Sequence, residues 1–560
     1  MLELAVGTQR VGITFDEPLH AKRTQAWIDT GWYVPPRYLV DQEPGSDAAA
    51  SPFVYGPAYS ATAHGLNRLV ANEDAGEVSR SESAWLTRHI VVALLAIAGI
   101  LAAAISVWAI TGSRIFALWT AAALSAIPIW TGMGFFNPKD IPAATGYTLF
   151  TAGLVLAFGR TPDDRVTVAR GSAIFFLVAA GYFFGAGTRL ALWLPLAGSL
   201  GLFLLLYWLR FRFGGFPRDS IALVSVTAGF AVGVAATVLV YPAVFAEPLS
   251  FLTNTVTNST DFAWKGTTLT AGSLLSQHPP WWYLPIWLFA SMPLLLLLLA
   301  TTGVIFLFRP IGRPLRGLHS LGRDLIQRPE YPGILVLFQA FPLAVGSVVL
   351  SSVMYTGLRQ FLFMVPALAV LAGIGGFHLW RYASARERLG SKAPQRLVLA
   401  ALCLALVVPA VEGGLLFPYN YTYINPIAGI GGINGNWETD FFWASTREAA
   451  DRVPDGVHPF CSATPDPRLS YPLPVYFQDC SKFGMPYFRN LGPPPPRPRN
   501  PSGADWVLAR LRENGRLPEY CRRVDDVTRW LRGERVVMSY VARCRLPEPP
   551  PLPIPPARSN

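Results

Sequence analysis

The chain has 560 residues, of which 52% are hydrophobic and only 14% charged. A soluble domain carries about 25% charged residues, so this composition, with its long charge-free apolar runs, excludes a soluble protein and predicts a polytopic membrane protein. The net charge of +11 raises nucleic acid as a partner. In a membrane protein, however, basic residues mark the cytoplasmic loops, so no nucleic-acid partner is predicted.

The N-terminal stretch GITFDEPLH, Gly12 to His20, sets two adjacent carboxylates, Asp16 and Glu17, ahead of the first span. Read locally, they are a helix start: acids favour the first turn and Pro18 suits its opening. Residues 17–40 place Trp27, Ile28, Trp32, Tyr33 and Tyr38 among polar side chains and predict one or two amphipathic helices on the membrane surface. Segment 41–85, rich in Ala, Ser, Gly and acids, reads as loop with some helix. About ten hydrophobic spans follow, at roughly 90–110, 115–133, 143–159, 171–188, 190–209, 221–245, 282–308, 332–353, 360–380 and 397–417. The third and fourth are short and contain glycine.

Alternate loops hold the bases: Arg160, Arg165 and Arg170; Arg210, Arg212 and Arg218; Arg309, Arg313, Arg316, Arg323 and Arg328; Arg381, Arg386, Arg388, Lys392 and Arg396. The loops between them hold little beyond Lys139, Arg189, Lys265 and Arg359. This asymmetry puts the Arg-rich loops in the cytoplasm. Segment 1–89, the loops near 134–142, 246–281 and 354–359, and everything after 417 then face outside. MLELAVG is too short for a signal peptide, so an exported N-terminal segment predicts a further transmembrane helix upstream of it.

The predicted organisation is an extracytoplasmic segment 1–89, a transmembrane domain 90–417, an extracytoplasmic C-terminal domain 418–546 and a Pro-rich disordered tail 547–560. Within the C-terminal domain, GPPPPRPRNP (492–501) is a stiff linker, Ala504–Leu511 has a helical pattern, and RVVMSYVARC (535–544) reads as a strand. Cys461, Cys480, Cys521 and Cys544 all fall there. Outside the cell they predict two disulfides, with neighbours Cys461–Cys480 and Cys521–Cys544 favoured among three possible pairings.

Polar residues gather at the predicted outer face: acids Asp16, Glu17, Asp140 and Asp261, bases Lys139, Arg189, Lys265 and Arg359, and His278 ahead of Trp281, Trp282 and Tyr283. FFNPKDIP puts Lys139 beside Asp140 between two spans, where ionised groups cost free energy unless paired or solvated. The plainer readings are an aromatic belt for the Trp and Tyr residues and snorkelling for Arg189 and Arg359. Tyr423, Asn425, Glu438 and Asp440 follow the last span and read as part of the acceptor side or, by preference, as caps of a packed surface domain. No run of acids with supporting ligands suggests a metal site.

GITFDEPLH resembles the first-loop motif of the GT-C glycosyltransferases, the family 39 group in particular. That group contains the protein O-mannosyltransferases and their bacterial relatives, and the lipid A aminoarabinose transferases are akin to it. FFNPKDIPAATGYTL (135–149), TGLRQFLFMVPALAVLAG (356–373) and YTYINPIAGIGGINGNWETDFFWASTREAAD (421–451) resemble the bacterial branch. The four stretches come in the family's order and each falls on the predicted outer side.

The resemblance implies an all-α polytopic GT-C fold with extracytoplasmic loop helices, here followed by a small α/β C-terminal domain. It implies a polyprenyl-phosphate sugar as donor, a hydroxyl of a protein, lipid or polysaccharide as acceptor, and no cofactor. Asp16 becomes the general base of an inverting transfer, its pKa raised toward neutral by burial. Glu17 orients it, binds acceptor or raises its pKa as a like charge. Lys139, Arg189 and Arg359 bind the donor phosphate, Arg by bidentate contact and Lys as a point charge. Stabilising the leaving charge contributes several kcal/mol, on the order of what one oxyanion donor supplies (~3 kcal/mol). Asp140, Asp261, Lys265 and His278 are candidates for sugar or acceptor contact. The loop with NTVTNSTDFAWKGTTLTAG is a lid or a plain connector. A flippase of a lipid-linked glycan is the competing class, but it calls for ionisable groups at mid-membrane; here Glu412 is the main charge inside a predicted span. A non-catalytic envelope protein with a glycan-binding outer domain is the third.

Overall fold

The structure, a computed structural model, describes residues 2–14, 16–34, 51–70, 81–262, 264, 266–308, 325–387, 392–454, 460–463, 476–479, 505–510 and 521–544. Helices α1 (Leu2–Arg10), α2 (Glu17–Thr30) and α3 (Ala58–Val70) precede the bundle. The bundle opens with α4 (Glu82–Thr111). Ser81 caps it by accepting the Ala84 N–H, and Gly112 ends it at φ +70°, a conformation glycine adopts without a Cβ penalty. Next come α5 (Arg114–Ala126), α6 (Pro128–Met133), α7 (Asp140–Leu156), α8 (Val168–Thr188), α9 (Trp193–Phe213) and α10 (Ser220–Val240). The long outer loop folds into α11 (Pro248–Thr260) and a hairpin of β1 (Thr268–Thr270) and β2 (Ser273–Leu275). Then follow α12 (Tyr283–Ser291), α13 (Leu294–Phe308), α14 (Gly333–Ala340), α15 (Pro342–Val349), α16 (Met364–Glu387) and α17 (Ala393–Leu416).

All ten predicted spans are helical. Among the described residues, α4, α8, Leu190–Phe213, α10, α16 and α17 are long and apolar enough to cross a membrane, so the chain is a multi-pass membrane protein. The others are shorter or broken. Pro128, Pro293 and Pro342 lack the N–H that would continue a helix; they separate α5 from α6, α12 from α13 (bent by 114°) and α14 from α15. The short third span, α7, has 17 residues. Its glycines, and those of α8, are packing devices: a Cβ on Gly146 would overlap the Gly185 backbone, and one on Gly181 would overlap Phe150. Small residues let the two backbones approach, which brings the start of α7 beside the end of α8.

Successive spans alternate in direction, so their ends form two sets. At one end the start of α7, the ends of α8 and α10 and the segment after α17 meet α1 and α2. There Asn420 donates to Glu3 (2.7 Å), Trp27 Nε1 to the Val240 carbonyl (2.9 Å) and the Tyr33 N–H to the Tyr241 hydroxyl (3.1 Å). At the other end Arg160 donates to the Thr111 carbonyl, the Val166 N–H to Asp219, Arg210 to the Arg328 carbonyl, and His378 meets Glu330. The described Arg-rich loops lie at this second end.

After α17, helix α18 (Thr446–Ala450) leads to a five-stranded sheet of β3 (Phe460–Ala463), β4 (Tyr476–Asp479), β5 (Asp505–Arg510), β6 (Cys521–Leu531) and β7 (Glu534–Cys544), in the order β4-β3-β5-β7-β6. It is anchored to the bundle by charge. Arg532 meets Glu412 at the end of α17 (3.0 Å), Arg529 meets Glu448 (2.6 Å), and Glu534 accepts the Ile433 and Asn434 N–H groups. Glu412, the charge inside the last predicted span, is thus a docking residue.

Two local expectations change. Ala504–Leu511 is not helical where described: Asp505–Arg510 is β5, paired on both sides by β3 and β7. A short apolar run does not distinguish a central strand from a buried helix. Helix α2 does not present an apolar face to lipid. It buries Glu17, His20, Arg23 and Thr24, because the surroundings supply hydroxyls and tyrosine faces. Cys480, the 492–501 linker and the 547–560 tail lie outside the described residues, as do the side chains of Cys461, Cys521 and Cys544. The backbone register sets Cys521 opposite Cys544.

Candidate active site

The acidic loop is built from its glycine. A Cβ on Gly12 would overlap the Thr446 hydroxyl and the Arg447 backbone nitrogen, and the Gly12 N–H donates to the Ala444 carbonyl (2.7 Å). Only glycine allows the loop to lie this close to the 444–447 segment. Two residues on, Thr14 donates both its N–H (2.7 Å) and its hydroxyl (2.8 Å) to Glu17, whose other oxygen meets His89 Nε2 (2.8 Å). The Glu17 carboxylate is buried and fully engaged. It fastens the loop to α4, with its two oxygens bonded to Thr14 and His89.

Asp16 occupies the N-cap position of α2, yet its carboxylate makes no capping bond. It turns instead to Lys139 (2.6 Å) and Arg359 (3.1 Å), both almost fully buried. The helix-start reading therefore accounts for its place in the chain but not for its partners. Burial raises the carboxyl pKa. The attraction of Lys139 and Arg359 and the Lys139 hydrogen bond more than offset this and hold Asp16 well below the usual carboxylate range. The expected upward shift is thus reversed in the resting protein.

Asp140, the first residue of α7, pairs with Arg189 at the end of α8. Asn137 positions it, donating from Nδ2 to Asp140 (2.9 Å) and accepting the Lys139 and Asp140 N–H groups at Oδ1 (3.2 and 2.9 Å). Arg189 is thereby committed to Asp140. Because the Asp140 side chain is 1% exposed, Arg189→Met is expected to destabilise the protein by about 3–5 kcal/mol by leaving a buried carboxylate without its cation. Asp140→Asn added to it is expected to recover most of the loss, read as thermal stability in detergent.

Aromatic rings line the same cleft. Tyr55, bridged through its backbone to Arg189, lies within 5.4 Å of Lys139, 5.7 Å of Arg189 and 4.9 Å of Arg23, measured to the ring centre. Burial raises its phenol, but Lys139 and Arg189 bring it below its ordinary value. Arg359 sits between the faces of Tyr355 (4.7 Å) and Phe442 (5.0 Å), and Trp264 stacks on Tyr355 at 4.4 Å. Such rings favour cations and seal them from water. His20, also facing the cleft, is held well below its ordinary pKa by burial and by Lys139 and Arg23. Its Nδ1 meets the Tyr33 hydroxyl (2.9 Å).

The cleft therefore buries Lys139, Arg189 and Arg359, with Arg23 beside Tyr55, against two carboxylates, Asp16 and Asp140, which leaves a surplus of positive charge. Arg359 Nε, Arg189 Nε and the hydroxyls of Thr188 and Thr356 are buried with no hydrogen-bond partner among the described residues, each at a cost of about 1–3 kcal/mol. An anion with several acceptor oxygens fits both facts.

Two predicted contacts, Asp261 and His278, do not join this set, and a third falls on a residue that is not described. Asp261 is exposed at the end of α11; His278 is exposed and bonded to the Ser351 carbonyl (2.9 Å); Lys265 lies outside the described residues. Asp440 is structural, accepting from Tyr421, Ser445 and the Ala444 N–H, and so is Asn425, which accepts the Ile427 and Ala428 N–H groups. Tyr55, Tyr355, Asn137, His20 and Arg23 were not singled out from the sequence. Of these, Asn137 had a signal, its place two residues before Lys139. Among the described residues no three His, Cys, Asp or Glu side chains group to hold a metal ion.

No protein-family model and no curated protein matches the chain. Among solved structures it is similar to ArnT from Cupriavidus metallidurans in the apo state, at 14% identity over 97% of this chain and 96% of that one, with a TM-score of 0.45. It is similar over the same shares to ArnT bound to undecaprenyl phosphate, at 12% identity and a TM-score of 0.46. The oligosaccharyltransferase of Archaeoglobus fulgidus in the apo form is similar at 11% identity and a TM-score of 0.43, over 76% of this chain and 55% of that one.

Proposed function

We propose that the chain is a membrane glycosyltransferase that moves a sugar, with inversion, from a polyprenyl-phosphate donor to an acceptor hydroxyl on the extracytoplasmic face of the plasma membrane. The observation that carries this reading is the convergence of Asp16, Lys139 and Arg359 in one buried cleft with a positive surplus. The outward placement is supported by the position of that cleft, at the opposite end of the helices from the Arg-rich loops.

The donor phosphate enters beside Lys139 and Arg359. As the acceptor oxygen attacks the anomeric carbon, its proton passes to Asp16. The bond from that carbon to the phosphate oxygen breaks, and its electron pair goes to the phosphate. Lys139 and Arg359 take up the charge that grows there, and the reading needs no cofactor.

These cations neutralise Asp16 at rest. A phosphate that draws them away weakens its two ion pairs and raises its basicity, so the base is activated when the donor arrives. The sign is checkable. In the free enzyme Asp16 stays ionised down through the carboxylate range, so the acid limb of kcat/KM is expected below about pH 4. The limb of kcat, which reports the donor complex, is expected at higher pH. Coincident limbs would remove the coupling.

The direct test incubates purified protein with a panel of labelled polyprenyl-phosphate sugars and membrane extract, followed by identification of the labelled product. Transfer to a hydroxyl supports the reading. Translocation of a lipid-linked glycan in proteoliposomes without transfer would replace it with the flippase reading.

A further inference from the structure

The His89 side chain that holds Glu17 also forms a wall of a second cavity, of about 260 Å³, close to the lower size of ligand pockets (about 300 Å³) and far above one water's share. Thr8 and Gln9 of α1, Glu82 and Trp85 of α4 and Arg447 of α18 complete its polar lining. Trp85 is 1% exposed, and its indole N–H is buried with no acceptor among the described residues. His89 has nothing left to offer a ligand, since Nδ1 meets the Thr8 carbonyl (3.0 Å) and Nε2 meets Glu17. Arg447 and Glu82 face each other at 2.7 Å, and His89, whose two ring nitrogens both face acceptors, is balanced by Glu17 behind it, so each charge at the lining already has its partner. That separates it from the acidic cleft with its cationic surplus.

We propose that this cavity binds a neutral, hydroxyl-rich group, a sugar unit. Its chemistry selects that class. The Trp85 N–H calls for an oxygen acceptor, the Gln9 amide and Thr8 hydroxyl both donate and accept, and the balanced Arg447–Glu82 pair disfavours a phosphate or carboxylate. An aromatic wall beside such groups suits the mixed polar and apolar faces of a sugar ring. The Gln9 and Glu82 side is exposed, so a ligand can enter from solvent.

The test uses the full chain in a non-glycosidic detergent, with methyl α-D-mannopyranoside and, separately, glycerol 3-phosphate as probes in saturation-transfer NMR. Saturable binding of the glycoside is expected, weakened about tenfold by Trp85→Phe, which keeps the ring and removes one hydrogen-bond donor. Gln9→Leu, at an exposed position that the fold tolerates, is expected to weaken it as well. Binding of glycerol 3-phosphate in place of the glycoside would overturn the proposal. So would binding of neither probe, or glycoside binding untouched by both substitutions.

Discussion

Asp16→Asn is expected to lower sugar transfer about 10²- to 10⁴-fold, the contribution of a positioned general base, while donor binding survives. Asparagine has the size of aspartate and still accepts hydrogen bonds, but it takes no proton from an attacking hydroxyl. Its effect on the resting protein has the opposite sense to its effect on the complex. Without the carboxylate, Lys139 and Arg359 lose the counter-ion they share, a destabilisation of about 3–5 kcal/mol. Polyprenyl phosphate restores one. The lipid is therefore expected to raise the melting temperature of Asp16→Asn more than that of the natural protein, as mass action requires of a ligand bound more tightly. A well-folded Asp16→Asn enzyme that turns over normally would remove Asp16 as base. One that binds no donor would make it a donor ligand instead.

The membrane bundle was legible in the sequence because apolar runs and alternating Arg-rich loops are local signals, and all ten runs proved helical. The acids and bases of the cleft were legible as a set, since charges at a membrane interface stand out against apolar flanks. Their pairing was not. Asp140 is adjacent to Lys139 in the chain but pairs with Arg189, because Gly146 and Gly181 draw α7 and α8 together. Glu17 is adjacent to Asp16 but bonds to Thr14 and His89, partners that its place in the chain does not reveal. Tyr55 reaches the cleft through a backbone bridge to a residue far along the chain, and no local pattern encodes such a contact. The polar buried face of α2 was hidden for the same reason: its partners are tyrosines and serines contributed by other segments.

Removing either cation is expected to separate donor recognition from folding. Lys139→Met leaves Asp16 paired with Arg359, and Arg359→Met leaves it paired with Lys139, so each variant keeps a neutralised carboxylate. The positive surplus of the cleft, however, falls by one. Loss of one partner to a desolvated phosphate costs about 2–5 kcal/mol, which is roughly a 30- to 5,000-fold loss in kcat/KM. Part of it is expected in kcat, because the phosphate charge grows toward the transition state. Arg359→Lys keeps the charge but gives up the planar fork and its place between Tyr355 and Phe442, so it is expected to recover only part of the loss. The sharper measurement is a double-mutant cycle between Asp16→Asn and Lys139→Met, run on stability with and without polyprenyl phosphate. In the lipid-free protein the two residues meet at 2.6 Å, and their coupling is expected to be large and favourable. With the lipid bound, Lys139 is shared with the phosphate and the coupling shrinks. A coupling indifferent to the lipid would place the phosphate away from Lys139, and the activation of Asp16 by its donor would fall with it.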